Sequence, residues 1–191
     1  MKFKDSNLAH EYLDKLTGIE IGGSAHNAFN LPNCLNVDYT DSMDTIFKKA
    51  EFEYCGEKMP VDVVANGDKL PFKNESYDYV ISSHVIEHFF DPIATIKEWL
   101  RVIKPGGYIF IIAPTWRAIS TETRDCTTLE DLIKRNSGEI KQDEAQNPHD
   151  HFSVWNLDDF YELCQYMNWN VVEAIQPDDK VGNGFCVIIK R

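Results

Sequence analysis

The chain has 191 residues, of which 43% are apolar, and its formal net charge is −12. This size and composition predict one domain with a single core that does not depend on disulfides. The acidic balance argues against a nucleic-acid partner, because phosphate binding needs clustered Lys and Arg. No apolar run reaches the roughly 18 residues of a membrane span, and the first residues do not resemble a signal peptide. A cytoplasmic protein that does not bind membranes is therefore predicted.

The cysteines support the same compartment. There are 5, at positions 34, 55, 126, 164 and 186, an odd number without a C-x-x-C pair. We expect them to be reduced and to act as small core residues.

In the first third of the chain, helical and strand patterns alternate. The predicted elements are a helix with Leu8, Tyr12 and Leu16 on one face, strands over 19–21 and 34–37, an amphipathic helix marked by Met43, Ile46, Phe47 and Ala50, and a short strand over 61–65. The leading helix is expected to cover the sheet or a ligand pocket.

The middle of the chain contains a clear helix between two apolar strands. Asp91 and Pro92 are a capping residue and a first helical residue, and they predict the start of the helix. Its buried stripe is expected to contain Ile93, Ile96, Leu100 and Ile103, and the turn at 104–107 is expected to end it. Strands this apolar, alternating with helices, indicate a parallel sheet covered on both faces.

The C-terminal part of the sequence predicts a different pairing of strands. Asn156 and Asp159 form a capping pair for a last helix, whose inward residues are expected to be Leu157, Phe160, Cys164 and Met167. Strands are predicted over 169–175 and 185–189. The connection between them is too short for a crossover helix, so these strands must be antiparallel. The long segment 114–155 before this helix has the length of a lid or binding segment.

The stretch 68–114 carries motifs in a distinctive order: D-K-L-P-F, a buried strand, S-S-H-V-I-E-H, a capped helix, K-P-G-G and a second buried strand. This order resembles the class I S-adenosylmethionine-dependent methyltransferases of the small-molecule type. The resemblance implies an α/β, doubly wound, seven-stranded and mostly parallel sheet with a C-terminal antiparallel hairpin. It also implies one domain over 1–191, with 114–155 as a substrate lid, and S-adenosyl-L-methionine as the cofactor.

The segment G-I-E-I-G-G-S-A-H is similar to the glycine-rich loop of that family. Glu20 and Gly22 match the family pattern, whereas Ser24 and His26 replace its second and third glycines. Gly22 and Gly23 can still let the backbone approach the cofactor. The alternative is an ordinary strand-to-helix turn. A dinucleotide dehydrogenase is not expected, because the segment lacks G-x-G-x-x-G.

Two acidic residues are further candidates for cofactor binding. Asp38 ends the second strand, where an acid can accept both ribose hydroxyls. Asp68, with Lys69 and Leu70, resembles the family's adenine corner, in which the carboxylate binds the exocyclic amine and backbone groups read the ring edge. A turn-forming role is the alternative for Asp68.

Histidines are the candidates for catalysis. Ser83 and His84 follow the fourth strand and are expected near the sulfonium, with His84, His149 and His151 as possible proton acceptors for an oxygen nucleophile. His88 is expected to pack at the helix start. The histidines at 149 and 151 could instead hold a metal for a vicinal diol, or lie in a solvated loop. The sequence shows no second ligand cluster, so no metal site is predicted.

Arg117 and Arg124 lie in the predicted lid and are candidates to bind a carboxylate or phosphate of the substrate. Their spacing loosely resembles a methyltransferase subgroup associated with glycan and nucleotide-sugar biosynthesis. The alternative is that both are surface arginines paired with nearby acids.

The sequence therefore predicts methylation, on oxygen or nitrogen, of a small polar and possibly anionic or glycan-related acceptor. The [N/D]-P-P-[Y/F] motif that holds a base amine is absent after the fourth strand, where S-S-H-V stands instead. One alternative is a catalytically silent S-adenosylmethionine-binding protein in regulation or assembly. Another is a different transferase of the same cofactor, such as an aminopropyl transferase. The oligomeric state is not predicted.

Overall fold

A computed structural model describes residues 1–116, 118, 123–143 and 150–191. The strands are β1 (Gly18–Ile21), β2 (Cys34–Asp38), β3 (Val63–Val64), β4 (Tyr77–Ser83), β5 (Ile103–Pro114), β6 (Asn170–Ile175) and β7 (Gly184–Lys190). The α-helices are α1 (Asn7–Leu13), α2 (Ile46–Cys55), α3 (Pro92–Val102), α4 (Leu129–Ser137) and α5 (Leu157–Tyr166), and a 3₁₀ turn spans Ile86–His88.

The strands form one seven-stranded sheet in the order β3-β2-β1-β4-β5-β7-β6. β1 to β5 pair in parallel, whereas β7 is antiparallel to both β5 and β6. The predicted sheet and its antiparallel hairpin are confirmed. Strand order reverses between β1 and β4, so their carboxyl ends border the crevice in which such sheets bind ligands.

Both faces of the sheet are covered by apolar side chains. On one face, strand residues such as Ile19, Val80 and Ile109 belong to the same cluster as Trp99 of α3 and Phe160 of α5. On the opposite face, the members of the second cluster include Ala9, Leu13, Phe29, Leu31, Tyr79, Ile81, Phe110 and Ile188. This burial on two sides explains why the strands are almost continuously apolar. No helix among the described residues is long and apolar enough to span a membrane.

The leading helix covers the sheet, which was one of the two expected positions. Its fully buried residues are Ala9 and Leu13, whereas the predicted stripe of Leu8, Tyr12 and Leu16 is only partly buried. The inward face is therefore one residue further along than the spacing of the large side chains indicated.

The prediction for α2 was wrong in its orientation. The helix begins at Ile46, after the Thr45 cap, and it exposes Ile46 and Phe47. The side turned to the protein carries Lys48 and Glu51, whose Nζ and Oε2 atoms lie 3.0 Å apart. Both side chains are buried because Glu51 also accepts backbone hydrogen bonds from neighbouring loops. Polar contacts, rather than apolar ones, anchor this helix.

Smaller differences concern element boundaries. No helix follows the glycine-rich loop, because residues 22–33 form turns and irregular chain. The strand predicted over 61–65 is only Val63–Val64. α3 is capped by Asp91 as expected, but it ends at Val102, so Ile103 and the turn at 104–107 belong to the range of β5.

The segment 114–155 contains a helix that the sequence analysis did not predict. A capping box precedes α4, in which the Thr128 side chain accepts the Asp131 amide and the Asp131 side chain accepts the Thr128 amide. Gly138 ends the helix in a left-handed conformation. Leu132 is 1% exposed and belongs to the main core cluster. The middle of the segment is thus a packed helix and not a loop. The signals were a Thr-x-x-Asp pair and a Gly at the C-cap.

Candidate functional site

The glycine-rich turn lies against the segment that follows β4. Gly22 has φ +68°, and a Cβ there would lie 2.8 Å from Cγ2 of Val85. Its amide donates to the Val37 carbonyl at 2.8 Å, and the Gly23 amide donates to Asn36 Oδ1 at 3.0 Å. Only glycine fits this turn without displacing Val85. The contact joins the predicted cofactor loop to the predicted catalytic segment.

Glu20 lies beneath this loop and is only 5% exposed. Its carboxyl group is hydrogen-bonded to the backbone of Phe29, and burial raises its pKa to about 7, against the opposing effect of the positive charges of Lys180 and Lys48. The Lys180 ammonium donates to the Ala28 carbonyl at 2.7 Å. Glu20 thus lies next to the loop, because a Cβ at Gly23 would be 3.0 Å from its Cδ atom, and its cofactor contact stays a prediction.

The two positions where glycines are replaced are held by side chains. Ser24 Oγ lies 2.7 Å from His26 Nδ1, and the His26 ring stacks on Tyr54 of α2 with centroids 5.0 Å apart. Burial lowers the pKa of His26. The loop is therefore fixed by its contact with α2, which explains how it keeps one path without the missing glycines.

Asp38 ends β2 at the carboxyl edge of the sheet, as predicted. One carboxylate oxygen accepts the Tyr39 amide at 2.7 Å, and burial raises the pKa of this half-buried group. The position suits a ribose contact, which stays a prediction.

The predicted adenine corner lies in the turn before Leu70. Asp68 and Lys69 are exposed and Leu70 is buried. However, the Lys69 amide donates to the Asn66 carbonyl at 3.0 Å, and the Leu70 amide donates to Glu98 Oε1 at 2.8 Å. Both amides already have acceptors within the protein, and the contact of this corner with an adenine ring stays a prediction. The Asp68 carboxylate remains the candidate for the exocyclic amine.

Ser83 and His84 follow β4, beside the glycine turn. Ser83 Oγ accepts a hydrogen bond from Asn27 at 3.0 Å. His84 has φ +56°, and its amide donates to the Ile112 carbonyl at 2.9 Å. Burial lowers the pKa of His84 to about 4, so its imidazole is neutral at neutral pH. Its Nε2 atom is buried and has no hydrogen-bond partner among the described residues.

Three side chains, two from the 3₁₀ turn after β4 and one from the segment 150–153, form a cluster. One ligand-type atom from each of Glu87, His88 and His151 lies within 4.8 Å of the others. His151 Nε2 is 4.0 Å from Glu87 Oε1, and the two imidazole rings meet edge to face with centroids 4.8 Å apart. Glu87 is 1% exposed, and burial raises its pKa to about 8. Glu87 was not predicted from the sequence, and it lies in the 3₁₀ turn that follows β4.

Backbone contacts hold the segment 150–153 against this cluster. The Phe152 amide donates to the Glu87 carbonyl at 2.7 Å, and Arg124 Nη1 donates to the His151 carbonyl at 2.7 Å. Arg135 Nη1 donates to the Phe152 carbonyl at 3.0 Å. Arg124 thus fixes the chain that carries His151, and its predicted anion contact stays a prediction. The predicted residues His149 and Arg117 lie outside the described residues.

Comparisons with known proteins agree with this geometry. The sequence model of a family described as "Methyltransferase domain" matches residues 18–111. An uncharacterized protein of Methanocaldococcus jannaschii is 34% identical over 103 residues, covering 52% of this chain and 45% of that protein. A malonyl-[acyl-carrier protein] O-methyltransferase of a Marinomonas species is 45% identical over 47 residues, covering 25% of this chain and 17% of that enzyme. The chain thus aligns with less than half the length of these relatives.

The fold has close structural counterparts. A crystal structure of a SAM-dependent methyltransferase of Methanosarcina mazei superposes with a TM-score of 0.56 at 18% identity, covering 98% of this chain and 99% of that one. Sheet order, antiparallel hairpin and the match over residues 18–111 make this chain similar to the class I S-adenosylmethionine-dependent methyltransferases and show that it shares their fold. Those structural relatives are S-adenosylmethionine-dependent, and the cradle at Gly22 and Gly23, where a Cβ would clash, fits close approach of such a cofactor.

Proposed function

We propose that this protein is a methyltransferase that methylates an oxygen atom of a small polar acceptor. When bound, S-adenosylmethionine supplies a methyl group on a positively charged sulfur, so the protein mainly has to align the acceptor and exclude water. The predicted cofactor contacts are those of Glu20, Gly22, Gly23, Asp38, Asp68, Lys69, Leu70 and Ser83.

The observation that carries this proposal is the grouping of polar side chains at the carboxyl ends of β1 and β4. His84, Glu87, His88 and His151 lie on the segment that touches Gly22 through Val85, or next to that segment. An oxygen acceptor must lose a proton as it is methylated, and imidazoles and carboxylates are the groups that assist this loss. The same edge of the sheet therefore supports cofactor binding and acceptor activation.

The class of acceptor follows from charge and access. The chain is acidic overall, so a polyanionic acceptor such as nucleic acid is disfavoured. Arg135 stabilises the described part of the predicted lid, because it donates to two groups of the 150–153 segment and lies over the Phe90 ring. A lid held in this way would suit a small molecule that is enclosed during transfer.

A product-based screen tests the proposal. Purified protein is incubated with S-adenosylmethionine labelled in its methyl group and with fractions of a metabolite extract, and S-adenosylhomocysteine formation is followed. We expect fraction-dependent turnover with label in a small molecule that mass spectrometry identifies. Tight binding of S-adenosylhomocysteine without turnover in any fraction would instead support the silent cofactor-binding alternative.

Replacing Asp38 with Ala should weaken S-adenosylhomocysteine binding about 10- to 100-fold, or about 1.5–3 kcal/mol, because a charged hydrogen bond to the ribose is lost. Isothermal titration calorimetry measures the change. Asp41→Ala is the matched control, since Asp41 is an exposed acid nearby in the chain and its loss should leave the affinity unchanged. Equal affinities for wild type and Asp38→Ala would remove the ribose assignment.

A further inference from the structure

We propose that Glu87, His88 and His151 form a binding site for one divalent transition-metal ion of the zinc class, and that this ion binds the oxygen of the methyl acceptor. The acceptor part of this inference rests on the proposed function. No metal site was predicted from the sequence, because no second ligand cluster accompanied the histidines at 149 and 151; the fold brings Glu87 and His88 to His151.

The geometry of the three side chains is close to that of a metal centre. Their ligand-type atoms lie within 4.8 Å of one another, and His151 Nε2 is 4.0 Å from Glu87 Oε1. Ligand atoms about 2.0–2.1 Å from a tetrahedral Zn²⁺ are separated by about 3.3 Å. Binding of an ion would therefore require side-chain rotations that bring these ligand atoms closer together.

A second observation points to a cation at this place. The Glu87 side chain is 1% exposed, and its Oε2 atom is buried and lacks a hydrogen-bond partner among the described residues. A buried carboxylate oxygen without a donor is costly, and a coordinated cation removes that cost. The neighbouring His84 also has a buried Nε2 atom without such a partner, so polar groups here converge without satisfying one another.

The surrounding chain holds these ligands in place. The Glu87 carbonyl accepts the Phe152 amide at 2.7 Å, which ties the segment after β4 to the segment that carries His151. His88 Nδ1 lies 3.3 Å from the Asp150 carbonyl, a contact that orients the ring. The arginine contacts to the His151 and Phe152 carbonyls fix the same segment. Such support around a ligand set is typical of metal centres.

The donor set indicates which ion binds and what it does. Two imidazoles and one carboxylate suit Zn²⁺ and related divalent ions, and three protein ligands leave a position for an exogenous oxygen. An ion there would lower the pKa of a bound hydroxyl group. In the transfer, the acceptor's proton passes to solvent and its oxygen bonds to the methyl carbon. The carbon–sulfur bond breaks as the new bond forms, in one in-line displacement, and its electron pair remains on sulfur. The chemistry therefore selects an acceptor with a hydroxyl group, favoured further if a second oxygen can chelate the ion.

Metal binding is measured on full-length protein that has been stripped with a chelator. After equilibrium dialysis against Zn²⁺, we expect one ion per wild-type chain, and at least about 100-fold weaker binding in Glu87→Gln and in His151→Ala. His10→Ala is the matched control: His10 lies on α1 beside Asp14, away from the cluster, and its loss should leave Zn²⁺ binding intact. Circular dichroism establishes that each variant is folded, and His88→Asn serves as a third variant if one of the others is not. Absence of stoichiometric Zn²⁺ in the wild type, or equal binding in folded variants, would overturn the site.

The open coordination position of the metal ion is tested by a separate measurement. Co²⁺ loaded in place of Zn²⁺ reports its ligands through visible absorption, and acetohydroxamate, a small ligand with two adjacent oxygens, should change that spectrum in the wild type. An unchanged spectrum would overturn the acceptor part of the proposal. S-adenosylhomocysteine affinity, measured in parallel, should be the same with and without Zn²⁺. Failure of the wild type to bind S-adenosylhomocysteine would count against the proposed function and leave the metal result standing.

Discussion

Replacing Asp178 with Ala is expected to lower the free energy of unfolding by about 3 kcal/mol or more. Asp178 is 3% exposed, and its two carboxylate oxygens accept four backbone amides, those of Lys180, Val181, Gly182 and Gly184, at 2.6 to 3.0 Å. The substitution leaves these donors unpaired in the turn between β6 and β7. Charged hydrogen bonds of this kind contribute roughly 1.5–3 kcal/mol each, although not additively.

The expected loss reaches beyond the turn itself. The next residue, Asp179, accepts hydrogen bonds from Ser6 Oγ at 2.7 Å and the Leu8 amide at 3.0 Å, and so holds the start of α1. Lys180 holds the Ala28 carbonyl of the chain between β1 and β2. Urea denaturation followed by circular dichroism measures the effect. Glu162→Ala, an exposed substitution on α5, is the control and should change stability by less than about 0.5 kcal/mol. A similarly small change for Asp178→Ala would show that the turn does not depend on this carboxylate.

The second large effect concerns pH and Glu20. Burial raises the pKa of its carboxyl group from 4.5 to about 7 in the folded protein. The folded state then binds a proton more tightly than the unfolded state. The contribution of Glu20 to stability is therefore greatest below about pH 4.5, is lost as the pH rises through 7, and is constant above that. A shift of this size corresponds to a change of about 3 kcal/mol across the window.

The variant Glu20→Gln should remove this part of the pH dependence, because an amide does not titrate and can still accept the hydrogen bond from the Phe29 backbone. Thermal unfolding between pH 5 and pH 8 measures the slope. Glu11→Gln, which neutralises an exposed carboxylate on α1, should leave the slope unaltered. Identical slopes in Glu20→Gln and wild type would mean that Glu20 stays ionised throughout, held by the charges of Lys48 and Lys180.

The altered glycine loop has a structural explanation that bears on cofactor binding. His26 is enclosed between Tyr54 and Phe3, with ring centroids 5.0 and 5.9 Å away, and the Ala25 amide donates to Glu51. α2 thus turns its polar side toward the loop and its apolar side toward solvent. Ser24 and His26 thus hold the loop by side-chain contacts at the two positions where the similar family has glycines.

The sequence by itself determined the sheet. Continuous apolar strands separated by helix signals can be buried only between two layers, and the short connection after β6 allows only an antiparallel pair. Local capping signals such as Asp91 with Pro92 specified where α3 begins, because they act within one turn of chain. The glycine pair at 22–23 and the acid at the end of β2 were likewise readable, since strand ends meet at one edge of such a sheet.

Only the tertiary structure decided which polar groups meet. Glu87 and His151 belong to segments whose contact depends on how 150–153 packs against the turn after β4, which no local pattern records. The orientation of α2 was set in the same way, because the burial of Lys48 and Glu51 depends on backbone amides supplied by distant loops. Periodicity reports apolar burial, whereas a buried ion pair or a ligand cluster is stable only when partners from elsewhere in the chain satisfy it.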